Sequence, residues 1–194
     1  MTFVLPTLVA GLYSLGHLLF VRDGALVAQP FDLSNATLKG KPDLMTVELS
    51  GDAKSRPFLA TAFAESHAQF SPDGRWVAYV SDESGQLEVY VRRFPEGDGQ
   101  KRISNAGGDQ PRWRGDGREI FYLDPARRIV SVEITPGAEL VPGTARPLFF
   151  TSTFIAVRIG FNFAVTRDGR RFLVNSTLDQ PDRDPISILV NWMH

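Results

Sequence analysis

The chain has 194 residues, 43% of them apolar and 22% charged, which allows one core-forming domain or a short repeat array and argues against intrinsic disorder. Its 21 basic and 22 acidic residues leave a net charge of -1, which argues against a nucleic-acid binder that works by phosphate neutralisation. Cysteine is absent, so disulfides, thiolate catalysis, cysteine zinc sites and iron–sulfur clusters are excluded, while 14 Phe, 17 Gly and 13 Pro point to an all-β chain.

No charged side chain precedes Arg22, and residues 3 to 21 are mostly apolar. Pro6, Gly11, Ser14, Gly16 and His17 interrupt the run, and no basic residue stands before it. The segment therefore reads as buried strands, with a membrane or export segment as the alternative. The alternative would place the rest of the chain outside the cytoplasm. His17 to Val21, the turn Arg22-Asp23-Gly24, and Ala25 to Phe31 read as a hairpin. Asp43 to Leu49 and Arg56 to Ala60 read as two further strands. Too little chain separates these features for a complete four-stranded unit.

From residue 62 onward the sequence repeats. Phe70-Ser71-Pro72-Asp73-Gly74-Arg75-Trp76 is followed by an apolar run, and the pattern returns around Asp116-Gly117-Arg118 and Asp168-Gly169-Arg170. The Asp-Gly pairs are 43 and then 52 residues apart, close to the length of a four-stranded propeller blade. The first copy reads as a tight turn: Pro72 pre-sets φ, Asp73 bonds neighbouring amides and Gly74 takes positive φ. Asp116, Gly117, Asp168 and Gly169 occupy the same turn positions.

The strands follow in order. Trp76 to Ser81 is apolar on both alternating faces, as expected of a strand covered on both sides. Leu87 to Arg92 alternates with period two, as expected nearer an edge, and Lys101 to Ser104 is a short outer strand. The second copy offers Gln110 to Trp113, Glu119 to Leu123, Ile129 to Ile134 and Arg146 to Phe150. The third offers Phe161 to Thr166, Arg171 to Asn175 and Ile186 to Trp192, and then the chain ends. No amphipathic helical stretch of useful length is present.

The segment from Gln69 to Tyr79, with Ser81-Asp82-Glu83-Ser84-Gly85 and Glu88-Val89-Tyr90-Val91, resembles the WD40-like repeat of TolB-type β-propellers over about residues 62 to 194. Gly107 to Trp113, Glu119 to Leu123 and Ile188 to Trp192 resemble, more narrowly, the C-terminal propeller of bacterial serine/threonine protein kinases. That resemblance implies a sensor module outside the cytoplasm. The chain has no glycine-rich phosphate loop, no His-Arg-Asp and no Asp-Phe-Gly, so kinase activity does not carry over.

Catalytic and metal chemistry find little footing. Gly11 to Gly16 has the wrong spacing for a nucleophile elbow. His67 reads as a loop-face histidine just before an inner strand, and His17 and His194 lie far from it in sequence. Asp179, Asp182 and Asp184 share a loop with Arg183 but lack the glycine and distal glutamate of a calcium loop. Arg92, Arg93, Arg112, Arg114, Arg127 and Arg128 are interleaved with acids and read as a mixed surface. Trp76, Trp113 and Trp192 read as packing between blades.

The expectation is an all-β chain of about four propeller blades: an irregular region at 1–61, blades at 62–105 and 106–152, and an incomplete blade at 153–194. The N-terminal strand near residues 3 to 10 is expected to complete the last blade beside Ile186 to Trp192. Function is read as non-catalytic binding of a protein or small ligand at one propeller face. No cofactor, no metal and no nucleic acid are expected. A membrane link would run only through the N-terminal segment, and open blade edges allow a homo-oligomer. The alternative is a propeller attached to a hydrolase, either a peptidase gate or a lactonase-like enzyme.

Overall fold

Asp-Gly turns and apolar runs divide the chain into short strands, and strands are the only regular elements among the described residues of the computed structural model. The described residues are 2–4, 10–14, 17–22, 25–34, 37–38, 43–47, 55–135, 137, 139–151 and 161–175. The first sheet contains β1 (Thr2–Val4), β2 (Ala10–Ser14), β3 (His17–Arg22), β4 (Ala25–Asp32), β5 (Thr37–Leu38), β6 (Asp43–Val47) and β7 (Ser55–Leu59). Its order is β1-β2-β3-β4-β6-β7, with β5 on β4. The hairpin of β3 and β4 pairs His17 with Pro30 through to Arg22 with Ala25.

The next two sheets are four-stranded antiparallel meanders. One holds β8 (Glu65–Phe70), β9 (Trp76–Ser81), β10 (Glu88–Arg93) and β11 (Lys101–Arg102). The other holds β12 (Asp109–Trp113), β13 (Glu119–Leu123), β14 (Arg128–Thr135) and β15 (Val141–Phe150). A last pair, β16 (Phe163–Val165) and β17 (Phe172–Val174), begins a fourth unit.

Period-two alternation shares each middle strand between two interfaces. From β9, Trp76, Ala78 and Val80 pack against Ile120, Tyr122, Val130 and Val132 of the following sheet. Tyr79 turns the other way, onto Leu44 and Leu59 of the first sheet. In β13, Ile120 and Tyr122 face back, while Phe121 and Leu123 face forward onto Phe163 and Phe172. Each of the two four-stranded sheets is thus an inner layer between neighbours, and a Val, Leu or Ile side chain buried this way contributes about 2 kcal/mol.

One expectation needs correction. Residues 88 to 91 of β10 are all buried, so the period-two reading of this strand as a half-exposed edge fails. The reason is Glu88, whose carboxylate is fully enclosed yet satisfied by the Ser104 hydroxyl, the Gly107 amide at 3.0 Å and the Gln86 side chain at 2.6 Å. The N-terminal strand is found on β2, with Thr2 opposite Leu12 and Val4 opposite Ala10. Pairing across a short connection costs little loop-closure entropy. Its expected partner, Ile186 to Trp192, lies outside the described residues.

Candidate functional site: a polar seam along the inner strands

The repeated turns close the same way in all three copies. The Gly74, Gly117 and Gly169 amides donate to the carbonyls of Ser71, Arg114 and Thr166 at 2.8–2.9 Å, and each glycine has φ near +70°. One oxygen of Asp73, Asp116 and Asp168 accepts the amide two residues on, at 3.0–3.2 Å. Arginine also neutralises two of these carboxylates: Arg75 Nε lies 2.7 Å from Asp73 and Arg114 Nε 2.7 Å from Asp116. The hydrogen-bonded Arg114 guanidinium holds the Asp116 carboxyl down at about 2. Pro72 lines a cleft of about 250 Å³ beside Trp76 and Trp113, at the turn end of the blades. The turn residues are engaged with one another, which makes them structural.

The opposite pattern appears on the inner strands. Both β8 and β12 carry an irregularity, between Ser66 and Gln69 and between Asp109 and Arg112. At each, a non-glycine residue takes positive φ: His67 at 51° and Gln110 at 56°. Such a backbone costs on the order of 1 kcal/mol or more, so the surrounding contacts must hold it. His67 and Gln110 are 43 residues apart, and Asn162 lies a further 52 on, the same offsets as the turns. All three are buried. They are therefore one position of the repeat seen three times.

These residues link each blade to the next. His67 Nδ1 lies 3.1 Å from Asp109 Oδ1, and Gln110 Oε1 accepts the Asn162 backbone amide at 2.6 Å. Phe161 stands between the His67 ring, edge-on at 5.3 Å, and the Arg112 guanidinium at 3.5 Å. Arg112 Nε donates to the Phe163 carbonyl and Nη1 to Gln69 Oε1, both at 3.3 Å. Burial pulls the Arg112 guanidinium below its ordinary value. Asp109 also lines a second cleft of about 250 Å³, shared with Leu87, Leu123 and Pro125, at the end of the blades away from the Asp-Gly turns.

At the start of β8, Glu65 is 1% exposed. Its Oε1 accepts the Thr61 hydroxyl, and its Oε2 meets no hydrogen-bond partner among the described residues. Burial pushes this carboxyl up to about 7, with Asp43 and Asp82 adding to the rise and Arg92 opposing it.

The expected loop-face histidine is a buried strand residue instead. Ser66 Oγ lies 3.2 Å from His67 Nδ1, the same nitrogen that faces Asp109. A hydrolytic relay needs serine and carboxylate on opposite ring nitrogens, so these three residues do not form one. No group of three or more metal-ligating side chains occurs among the described residues. Among them, too, no helix is long and apolar enough to cross a membrane. His17 lies in β3, whereas the Asp179–Asp184 loop, Trp192 and His194 lie outside the described residues. Of the six arginines, Arg114 and Arg128 pair with acids at 2.6–2.7 Å, and Arg92 bonds the Tyr79 hydroxyl and the Gly97 carbonyl.

Nested antiparallel meanders, packed face to face and joined along inner strands, define the architecture. The chain is a partial β-propeller module. No protein-family model and no curated protein matches it. Among solved structures it is similar to TolB from Acinetobacter baumannii, at 15% identity and a TM-score of 0.49, over 80% of this chain and 44% of that one. It is also similar to the β-propeller domain of Myceliophteria thermophila Cps50 (Swd1), at 13% identity and a TM-score of 0.45, over 79% of this chain and 61% of that one. The propeller module described here thus spans less than two thirds of either neighbour.

The sequence contained a signal for the seam. When the three copies are aligned on Asp-Gly, His67, Gln110 and Asn162 fall in one column of polar residues. Polar residues recurring at an inner-strand position have to be explained by something other than packing.

Proposed function

We propose that this propeller module is a non-catalytic binding module that takes its ligand or partner at the inner-strand seam and the cleft beside Asp109. The observation that carries the reading is the recurrence of His67, Gln110 and Asn162 at one repeat position, two of them held at positive φ. A packing role would be met by aliphatic residues there at less cost in desolvation. The likeness of Gly107 to Trp113 to kinase-attached propellers supports a finer version: an extracytoplasmic sensor segment of a bacterial serine/threonine kinase. The test is capture by the immobilised 194-residue chain from a bacterial envelope fraction, beside an Asp109→Ala variant of equal stability. A partner kept by the parent and lost by the variant supports the reading. Equal retention, or no retention by either, overturns it.

A further inference from the structure

Arg112 differs from the other arginines of the module. Its guanidinium is half-buried and stacked on Phe161, yet both of its hydrogen bonds run to neutral acceptors, Phe163 O and Gln69 Oε1. Among the described residues it meets no carboxylate within salt-bridge distance, and Nη2 has no acceptor in those two bonds. Fifty residues on, in the segment that Arg112 bonds, Asn162 is 9% exposed and its Nδ2 finds no acceptor among the described residues. A buried amide donor left unmatched costs about 1–3 kcal/mol. A partly desolvated cation without a counter-charge is costlier still. One unmatched amide donor and one guanidinium without a carboxylate partner thus belong to a single stretch of seam.

We infer that Arg112 and Asn162 form a receiving site for a single carboxylate, supplied by a peptide C-terminus or a small organic acid. This rests on the seam being the binding region proposed above. Arginine's planar fork leaves Nη2 able to donate after Nε and Nη1 are used, and a carboxylate has a second oxygen for the asparagine amide. Charge selects a monoanion. Asp109, three residues before Arg112 on β12, already supplies one negative charge beside His67. A doubly charged phosphate would meet that repulsion with only one guanidinium to offset it. The cleft at Asp109 opens the start of the same strand to solvent.

The test follows side-chain resonances of Arg112 Nε and Asn162 Nδ2 in the labelled full chain. The probes are acetyl-trialanine, its C-terminal amide, propionate and inorganic phosphate. Both carboxylates should shift the two resonances saturably, and the amide should not. Tighter binding of the peptide identifies a chain terminus as the source, and equal binding identifies a small acid. Arg112→Gln should weaken carboxylate binding about tenfold, the loss expected for a charge-assisted hydrogen bond. Arg112→Lys, which keeps charge without the fork, should lose several-fold. If Arg112→Gln does not fold, Asn162→Asp takes its place and should also abolish binding by repulsion. Equal binding of the amide, tighter binding of phosphate, or unchanged affinity in the variants overturns the inference. Partner capture that persists in Arg112→Gln would refute the carboxylate site while leaving the binding-module reading intact.

Discussion

Replacing Glu65 by glutamine should make the stability of the chain less dependent on pH. The carboxyl is enclosed between β8 and the first sheet, and burial raises its pKa from 4.5 to about 7. A folded-state value above the unfolded one means that folding favours the protonated form. The associated stability is whole below pH 4.5, declines as pH rises, and is lost above about pH 7. The size of the gap corresponds to about 3 kcal/mol. Glutamine has nearly the same shape, keeps an acceptor for the Thr61 hydroxyl and never ionises. The difference in unfolding free energy, variant minus parent, should therefore rise by about 3 kcal/mol between roughly pH 4 and pH 8.5. Urea unfolding at a series of pH values, followed by fluorescence of Trp76 and Trp113, measures it. A difference flat across that range would refute the argument, because it would mean that Glu65 is solvated in the folded chain.

Three further outcomes follow from packing and hydrogen bonding. Gly74→Ala should cost about 1 kcal/mol through its φ of +71° alone, since nothing lies within 4 Å of the added Cβ. Gly115→Ala should cost more, above about 2 kcal/mol, because its Cβ would lie 2.0 Å from Arg167 Cγ and 2.8 Å from the Arg167 carbonyl oxygen; urea titration that ranks the two the other way contradicts this. Ser104→Ala removes a donor to buried Glu88 and an acceptor for the Val89 amide at 2.8 Å, so it should destabilise by about 2 kcal/mol in the same assay. In an alkaline absorbance titration Tyr122, pushed up to about 12 by burial, should stay protonated after exposed tyrosine would have ionised, unless the chain has already unfolded.

The sequence revealed most where structure is local. Pro72, Asp73 and Gly74 determine their turn through their own φ preferences and hydrogen bonds, so the turn could be read without knowing what surrounds it. Trp76 to Ser81 was equally legible, because an unbroken apolar run fits only a strand covered on both faces. Glu88 was not. A glutamate is normally a surface residue, and its burial depends on Ser104 and Gly107, which arrive from the next connection. The seam was hidden for the same reason. His67, Gln110 and Arg112 gain meaning only once residues 42 to 52 positions away are brought beside them. The first sheet was legible as a hairpin but not as seven strands, since its later pairings have no repeat to announce them.

Two side chains of the seam reach forward to the next unit, while Arg112 reaches back to Gln69. The side chain of His67 reaches forward to Asp109, and that of Gln110 reaches forward to the backbone of residue 162. Each link satisfies a group on both of its sides, so neighbouring units depend on one another. Shortening this chain from its two ends should have unequal effects. Removing the last unit deprives Gln110 of the amide that it accepts, and the loss falls on an inner strand otherwise complete. Removing the first sheet leaves both of these links untouched but uncovers Tyr79, Tyr90 and the part of β8 that packs on β4 and β6. The two ends of the module therefore differ in what they cover, and shortening from each end is felt at a different set of contacts.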